Sequence, residues 1–313
     1  MTNRPKASPG PGELLISVEA CAVCRTDLQL AEGDIEARHP DLVPGHQVVG
    51  TVRAIGEDVV DWEIGVRAGV AWLASACGSC AFCSRDQENL CLQAKFTGWD
   101  SDGGFADQIR VDARFALRLP EGPKPARLAP LLCGGVIGYR ALKRSGVAAG
   151  ERLGLFGYGA SAHLALQVAR HWGCEVYVFT HSEKEQTRAL KTGATWAGGY
   201  DDSPGVVLAA AVTFAPVGEV VINALQNIDR GGVVAINAIH LDHVPQFSYD
   251  LLWWERELRS VSNFTRQDAR EFLDLAAAVP IQTDVQVFPL MAANQALQQL
   301  KAGDLTGTAV LIP

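Results

Sequence analysis

Four of the eight cysteines in this 313-residue chain crowd together as Cys77, Cys80, Cys83 and Cys91. The pattern is C-x2-C-x2-C-x7-C. Two-residue gaps bring successive thiolates onto one tetrahedral ion, and the longer gap returns the chain to close the fourth corner. Four thiolates leave no open position, so a structural zinc is expected here rather than a catalytic metal. The ferredoxin run C-x2-C-x2-C-x3-C-P is the competing pattern. In this chain the last gap is longer, and Leu92 rather than Pro follows the fourth cysteine.

Whether such thiols ligate metal or pair as disulfides depends on the compartment, since reducing surroundings keep them free. The opening stretch MTNRPKASPGPGE has no apolar core, so no signal peptide is expected and the chain reads as cytoplasmic. The longest nearly apolar run, Val206 to Gly218, is too short for a bilayer, which needs about 20 residues. A formal net charge of -8 disfavours a nucleic-acid surface and suits a protein with small ligands.

Short β-like runs dominate up to residue 127: Leu14–Val18, Val48–Ile55, Ala68–Trp72 and Phe105–Val111, separated by Gly, Pro and Asp turn signals. Beyond residue 130 the pattern alternates. Leu131–Arg144 reads as a helix, Arg152–Phe156 as a buried strand, Ala160–His171 as a helix and Glu175–Phe179 as a second strand. Helix Glu183–Thr192 follows, with later apolar runs near 206–214, 232–236 and 258–262. Strands alternating with helices imply βαβ units and a parallel sheet. From Pro280 the chain returns to short strands plus a helix near Ala292–Leu300.

Between the first parallel strand and its helix lies Gly157-Tyr-Gly159-Ala160-Ser161-Ala162, a G-x-G-x-x-A turn. Gly157 permits the tight turn, Gly159 lets backbone approach a pyrophosphate, and the small third residue allows helix and strand to pack closely. Amide groups and helix dipole favour negative charge at that helix start. Alone the glycine pattern is weak, but within a βαβ unit it is specific for a dinucleotide. An NAD site expects Asp or Glu at the end of the second strand to hold the ribose 2′-hydroxyl. That end reads Thr180-His181-Ser182, with Lys184 beyond, and has no acid to repel a 2′-phosphate. NADP(H) is therefore expected ahead of NAD(H), although the customary arginine is missing from this stretch.

Cys24, His46 and Cys133 are individually weak signals. His46 reads as a turn or core residue, Cys133 as a small buried hydrophobe, and Cys24 as half of a C-x2-C pair with Cys21. Their setting changes the reading. CAVCRTDLQ, PGHQVVG, the four-cysteine run, LLCGGVIGYRAL and the glycine turn occur in that order. This order resembles the zinc-containing medium-chain alcohol dehydrogenases over nearly the whole chain. It is especially similar to the bacterial branch, down to YDLLWWERELRSVSN near the C-terminus.

The resemblance implies an α/β chain: a mainly β, GroES-like catalytic domain (1–127 and 264–313) and a Rossmann-type doubly wound domain (128–263). It implies two zinc ions per subunit, with Cys24, His46 and Cys133 around the catalytic one and the four-cysteine run around the other. Cys2His with one open position is the known zinc ligand set of alcohol dehydrogenases. Thr26 would pass the alcohol proton, and an ordinary N-cap role is compatible with that. Asp27 would orient the zinc histidine, and Arg25 would approach the cofactor pyrophosphate. Trp72, Leu73 and Trp99 are candidates to line an apolar substrate pocket, although core packing explains any one Trp as well. The implied activity is hydride exchange between NADP(H) and a primary or secondary, medium-chain or aromatic alcohol or aldehyde. A homodimer or homotetramer is expected, with sheet edges near Val233–Ile236 and Leu258–Val261 available for pairing.

Three departures from the family stand out. Nine residues precede GPGELLISVEAC, where relatives carry a strand hairpin, so an exposed or borrowed sheet edge is expected. Gln47 replaces the usual Glu after the zinc histidine, and Gln29 a histidine that ends the proton relay. Two alternatives follow: a catalytically impaired dinucleotide-binding protein on the same fold, or a zinc-type quinone or enal reductase.

Overall fold

Strand Glu13–Ala22 is ten residues of ELLISVEACA in which no side chain is exposed, so it must be covered on both faces and paired on both edges. From Leu14 to Cys21 it pairs antiparallel with Val48–Ile55. On its other edge Gln108–Asp112 takes the first half, and Thr308–Ile312 joins at Cys21 and Ala22. The seven-stranded sheet is completed by Arg67–Val70, Leu117–Arg118 and Val285–Pro289. The computed structural model describes residues 7–239, 241 and 243–313; residues 1–6 of the stretch read as lacking a signal peptide, and positions 240 and 242, lie outside them. No helix among the described residues is long and apolar enough to cross a membrane.

The chain divides into two compact units. One comprises the described part of Met1–Cys133 together with Asn263–Ala278 and Gln282–Pro313; the other is Gly134–Ser262 with Val279–Ile281. In the first, Leu14, Ile16, Val18, Val48, Val52, Val70 and Ile109 form one apolar cluster inside the sheet. A second cluster, with Val23, Leu28, Phe288, Leu297 and Leu311, seats the helices Arg25–Glu32 and Ala293–Ala302.

In the second unit six parallel strands run in the order Trp196–Gly198, Glu175–Phe179, Arg152–Phe156, Leu208–Thr213, Ile228–Ile236, Glu257–Ser260. Numbered along the chain that order is 3-2-1-4-5-6, the doubly wound arrangement with its reversal beside the first strand. The first two strands have one exposed residue each and are otherwise buried, as expected of strands covered on both faces. Phe156 and Phe179 stack at their ends with centroids 4.1 Å apart. Strand Ile228–Ile236 is flanked on both sides, by Leu208–Thr213 and Glu257–Ser260. Val233–Ile236 is therefore not the sheet edge expected from the sequence; Glu257–Ser260 is.

Several element boundaries differ from expectation for identifiable reasons. The helix anticipated over Leu131–Arg144 is two elements: a 3-10 turn, Ala129–Leu132, and a helix, Gly134–Ser145. Cys133 separates them at φ −130°, ψ −73°. The strand anticipated over Ala68–Trp72 stops at Val70, and Leu73–Ser75 starts a separate pair with Lys95–Phe96. Helix Arg266–Ala278 was not anticipated, although its start carries a capping box. Thr265 N donates to Asp268 Oδ2 (2.9 Å), and Asp268 N donates to Thr265 Oγ1 (3.1 Å).

The same helix start anchors the four-cysteine loop. Glu88, between Cys83 and Cys91, accepts from Arg266 N (2.9 Å) and Arg266 Nε (3.0 Å) and is 4% exposed. Burial pushes its carboxyl up, but the Arg266 amide and guanidinium outweigh burial and hold it below the ordinary carboxylate value. A group depressed in the fold contributes stability that is present above its unfolded pKa, about 4.3, and is lost as pH falls through the folded value. Glu88→Gln should therefore cost about 1–3 kcal/mol at pH 7. Urea midpoints of variant and wild type should converge as the medium is acidified below about pH 4.3. A gap that widens on acidification would show that the ion pair does not stabilise the fold.

Candidate zinc centres and cofactor turn

Cys24 follows the first strand and is itself the N-cap of helix Arg25–Glu32, in extended conformation. Its thiol accepts from Thr26 N at 3.4 Å, and Asp27 Oδ2 accepts from Cys24 N at 2.8 Å, closing a capping box. The N-cap role expected of Thr26 therefore belongs to Cys24. Thr26 lies inside the helix, and the sulfur of Cys24 does the capping.

Asp27 is fully buried and spends its second oxygen on another segment. Oδ1 accepts from Gly45 N at 3.0 Å and lies 3.3 Å from His46 Nδ1, close enough for an ion pair but without hydrogen-bond alignment. Gly45 sits at φ +100°, and a Cβ there would meet Phe105 Cδ1 at 2.5 Å and Cys21 Sγ at 2.9 Å. Only glycine fits this turn. Gly104 N and Phe105 N clamp it from outside through the carbonyls of Gly45 and Pro44.

The break before helix Gly134–Ser145 supplies the third group. One ligand atom each from Cys24, His46 and Cys133 lies within 4.8 Å of the others. A hydrogen bond from the Cys133 thiol pulls Cys24 well below the usual thiol range, against burial and with help from His46. Cys133 is correspondingly pushed up by that same bond and by burial. Burial pushes His46 down, but the Asp27 carboxylate and the Cys24 thiolate outweigh it and raise the imidazole to about 10. Two sulfurs and an imidazole fit a soft-to-borderline divalent ion with one place left for another ligand. Cys21, although near in sequence, lies fully buried in the sheet core and donates to Ala22 O.

Cys77, Cys80, Cys83 and Cys91 also converge, with sulfurs within 4.8 Å of one another and all four thiols free of disulfides. Sulfurs about 2.3 Å from an ion at tetrahedral corners stand about 3.8 Å apart. The observed Cys77–Cys83 and Cys77–Cys91 separations are 3.9 Å and 3.5 Å. Backbone amides point at these sulfurs: Cys80 N reaches Cys77 Sγ at 3.3 Å and Gln93 N reaches Cys91 Sγ at 3.4 Å. The amides of Ser79 and Cys80 lower Cys77 to about 6, so one thiolate is stabilised before any cation arrives.

Trp72 stands edge-on to His46 with ring centroids 4.9 Å apart. It stacks on Phe96 (5.2 Å) and Trp99 (6.0 Å), and Arg38 covers Trp99 at 4.5 Å. Phe96 could not be found from the sequence because its two-residue strand has no periodicity; only its pairing opposite Leu73 places it here. Leu73, opposite Phe96 in the strand pair, lines an open recess of about 400 Å3 with Val70, Thr97, Arg110 and Phe115. Gln47 is likewise occupied elsewhere, its side-chain amide donating to Ala22 O at 3.3 Å. Arg25 is exposed in the first helical turn, and Gln29 is half-buried in the next.

In the second unit the glycine turn follows its strand directly. Gly157 has φ +92°, and a Cβ on it would meet Ala215 N at 2.8 Å. A Cβ on Gly159 would meet nothing within 4 Å, leaving room for a ligand against the backbone. Gly159 caps helix Ala160–His171 without any side-chain bond, and Ala160 and Ser161 form its first turn. At the neighbouring strand end, Thr180 is buried and Ser182 caps helix Glu183–Thr192 by accepting from Glu185 N at 3.3 Å. His181 packs edge-on against Tyr200 (4.5 Å), and Lys184 is exposed.

Residues 10–121 match the alcohol dehydrogenase GroES-like domain and residues 162–278 the zinc-binding dehydrogenase domain. The chain is 47% identical over 310 residues to a Mycobacterium tuberculosis protein named "Probable alcohol dehydrogenase AdhA", spanning 97% of this chain and 90% of that one. It is 33% identical to an alcohol dehydrogenase of Geobacillus stearothermophilus, over 98% and 93% of the two chains. Its fold is similar to the cinnamyl alcohol dehydrogenase SbCAD4 of Sorghum bicolor, with a TM-score of 0.91 at 25% identity, covering 99% and 92%. With both domains matched in order and relatives aligned nearly end to end, the chain belongs to the zinc-containing medium-chain alcohol dehydrogenase family and is an NAD(P)-dependent alcohol oxidoreductase.

Proposed function

We propose that this enzyme exchanges hydride between NADP(H) and an aromatic or medium-chain, primary or secondary alcohol or aldehyde, with two zinc ions per chain. The observation that carries the reading is the convergence of Cys24, His46 and Cys133, a cluster of three donors among the described residues. When bound, zinc there supplies Lewis acidity towards the substrate oxygen, and the nicotinamide exchanges the hydride.

The chain's own residues do the positioning. Thr26 N and the Cys133 thiol favour the thiolate of Cys24, while the Asp27 carboxylate faces the His46 ring. The Thr26 hydroxyl, in the same helical turn, would carry the substrate proton outward. Gln29 cannot receive it, because an amide does not titrate, so the proton leaves to water. The aromatic wall of Trp72, Phe96 and Trp99 beside His46 favours flat apolar substrates, in keeping with the cinnamyl alcohol dehydrogenase likeness. Cys77, Cys80, Cys83 and Cys91 would hold the second zinc with a purely structural role. The pyrophosphate would lie at Gly157, Gly159, Ala160 and Ser161, and the 2′-phosphate beside Thr180, His181 and Ser182. The outer strand Glu257–Ser260, an edge of its sheet among the described residues, supports assembly as a homodimer or homotetramer.

Zinc-replete protein should oxidise NADPH with aromatic and medium-chain aldehydes, and faster than NADH. Cys24→Ser should bind one zinc fewer by elemental analysis and lose turnover while keeping its melting transition. A protein that holds two zinc ions yet turns over no aldehyde would leave a binding protein on this fold instead. Gly157→Ala should weaken dinucleotide binding at least tenfold, since the turn must shift to relieve its contact with Ala215, at a cost on the order of 1–3 kcal/mol. Unchanged affinity by fluorescence titration would remove the glycine turn from the cofactor site.

A further inference from the structure

A 2′-phosphate is held by cations. Lys184, just beyond Ser182, is exposed, and a second cation stands further along the same helix. Arg188 lies nearly two turns beyond Ser182, and its guanidinium carbon is 5.8 Å from the centre of the Tyr158 ring. Tyr158 is the residue between Gly157 and Gly159, so Arg188 packs on a side chain that the cofactor turn carries. The ring is held in place: Tyr158 OH is hydrogen-bonded to His163 Nδ1 at 3.2 Å, and Thr192 Oγ1 lies 3.5 Å from the same nitrogen. Thr192 Oγ1 also donates to Arg188 O at 2.8 Å within its own helix, so the hydroxyl that meets His163 sits one turn beyond Arg188.

Helical side chains lean towards the helix N-terminus, so Arg188 points back along the row Ser182, Glu185, Arg188, spaced by three. Its Nη1 is 3.3 Å from Glu185 Oε2, with side chains 22% and 28% exposed. Glu185 N in turn donates to Ser182 Oγ. The row thus runs from the proposed 2′-phosphate position to a guanidinium paired with the Glu185 carboxylate.

We infer that Arg188 is the cofactor-specificity residue of this enzyme, binding the 2′-phosphate of NADP(H) by exchanging Glu185 for the phosphate. This rests on the NADP(H) reading proposed above. Chemically the exchange is favourable. A phosphate monoester carries about −1.5 to −2 at pH 7 against −1 for a carboxylate. Arginine also matches phosphate with two parallel donors. Glu185 then sets the strength of discrimination, because it competes with the phosphate for the same guanidinium. The arginine absent from the strand end is supplied from the helix that follows.

The test is direct binding, by calorimetry, of 2′,5′-ADP and 5′-AMP, which differ only in the 2′-phosphate. Wild type should bind 2′,5′-ADP more tightly. Arg188→Gln should lose tenfold or more on 2′,5′-ADP with 5′-AMP unchanged, Arg188→Lys should lose less, and Glu185→Gln should gain. If Arg188→Gln keeps the wild-type preference, Arg188 is not the phosphate ligand and the NADP(H) reading survives. If it weakens both ligands equally, Arg188 merely supports Tyr158 and the inference is overturned. A wild type that does not prefer 2′,5′-ADP overturns the NADP(H) reading, and the inference with it.

Discussion

The first unit depends on a single carboxylate. Asp27 is fully buried, and its two oxygens serve Cys24 N, Gly45 N and the approach of His46. A buried charge is costly unless its lone pairs are answered, and here two backbone amides answer them while the imidazole stands at ion-pair distance. Because Asp27 and Gly45 are eighteen residues apart, meeting the carboxylate's needs also brings the thiol and the imidazole together. The N-terminal end of helix Arg25–Glu32 adds favourable dipole at the same place. Solvating Asp27 within the protein and assembling the candidate metal site are thus one event.

The sheets deliver these segments to each other. Cys21 pairs with Val48 and Ala22 N donates to Gln47 O, so the strand end leading to Cys24 lies beside the stretch carrying His46. Gly45 is squeezed against Cys21 and Phe105, which fixes the height of the turn before the histidine. In the second unit the strand order reverses beside Arg152–Phe156, the strand that the glycine turn follows. The candidate metal donors lie in the first unit and the glycine turn in the second; Cys24 and Cys133 stand directly before helices, and the turn directly after a strand.

What the sequence disclosed and what it hid divide along physical lines. The cysteine spacing specified a tetrahedral cage, and the four sulfurs do converge. Strands and helices from Arg152 to Thr192 were legible because continuous apolar runs alternated with helical periodicity between clear stops. Short elements were not: a two-residue strand bearing Phe96 has no period to read. Nor can spacing show that Trp72 meets the His46 ring while Leu73, adjacent in the chain, lines an open recess. Cys133 reads as part of a continuous helix, although Gly134-Gly135 directly after it is a breaker signal, and the helix starts only at Gly134. Arg188 was invisible as a cofactor residue because its relation to Tyr158 arises only when two helices pack.

The bond between Glu88 and Arg266 also governs the order in which this protein can be made. Its partners are 178 residues apart in the chain. At the usual rate of about 5–20 residues per second of synthesis, the four-cysteine loop emerges roughly 10–35 s before its buried carboxylate can be answered. Strand Glu13–Ala22 waits longer still for Thr308–Ile312. The second unit, by contrast, finds all its strand neighbours within one continuous stretch. The nucleotide-type half can thus be complete on the ribosome while the half whose segments flank it in the chain is still open. Until then the early segment has only its internal pairings, such as Glu13–Ala22 with Val48–Ile55 and Gln108–Asp112, to hold it.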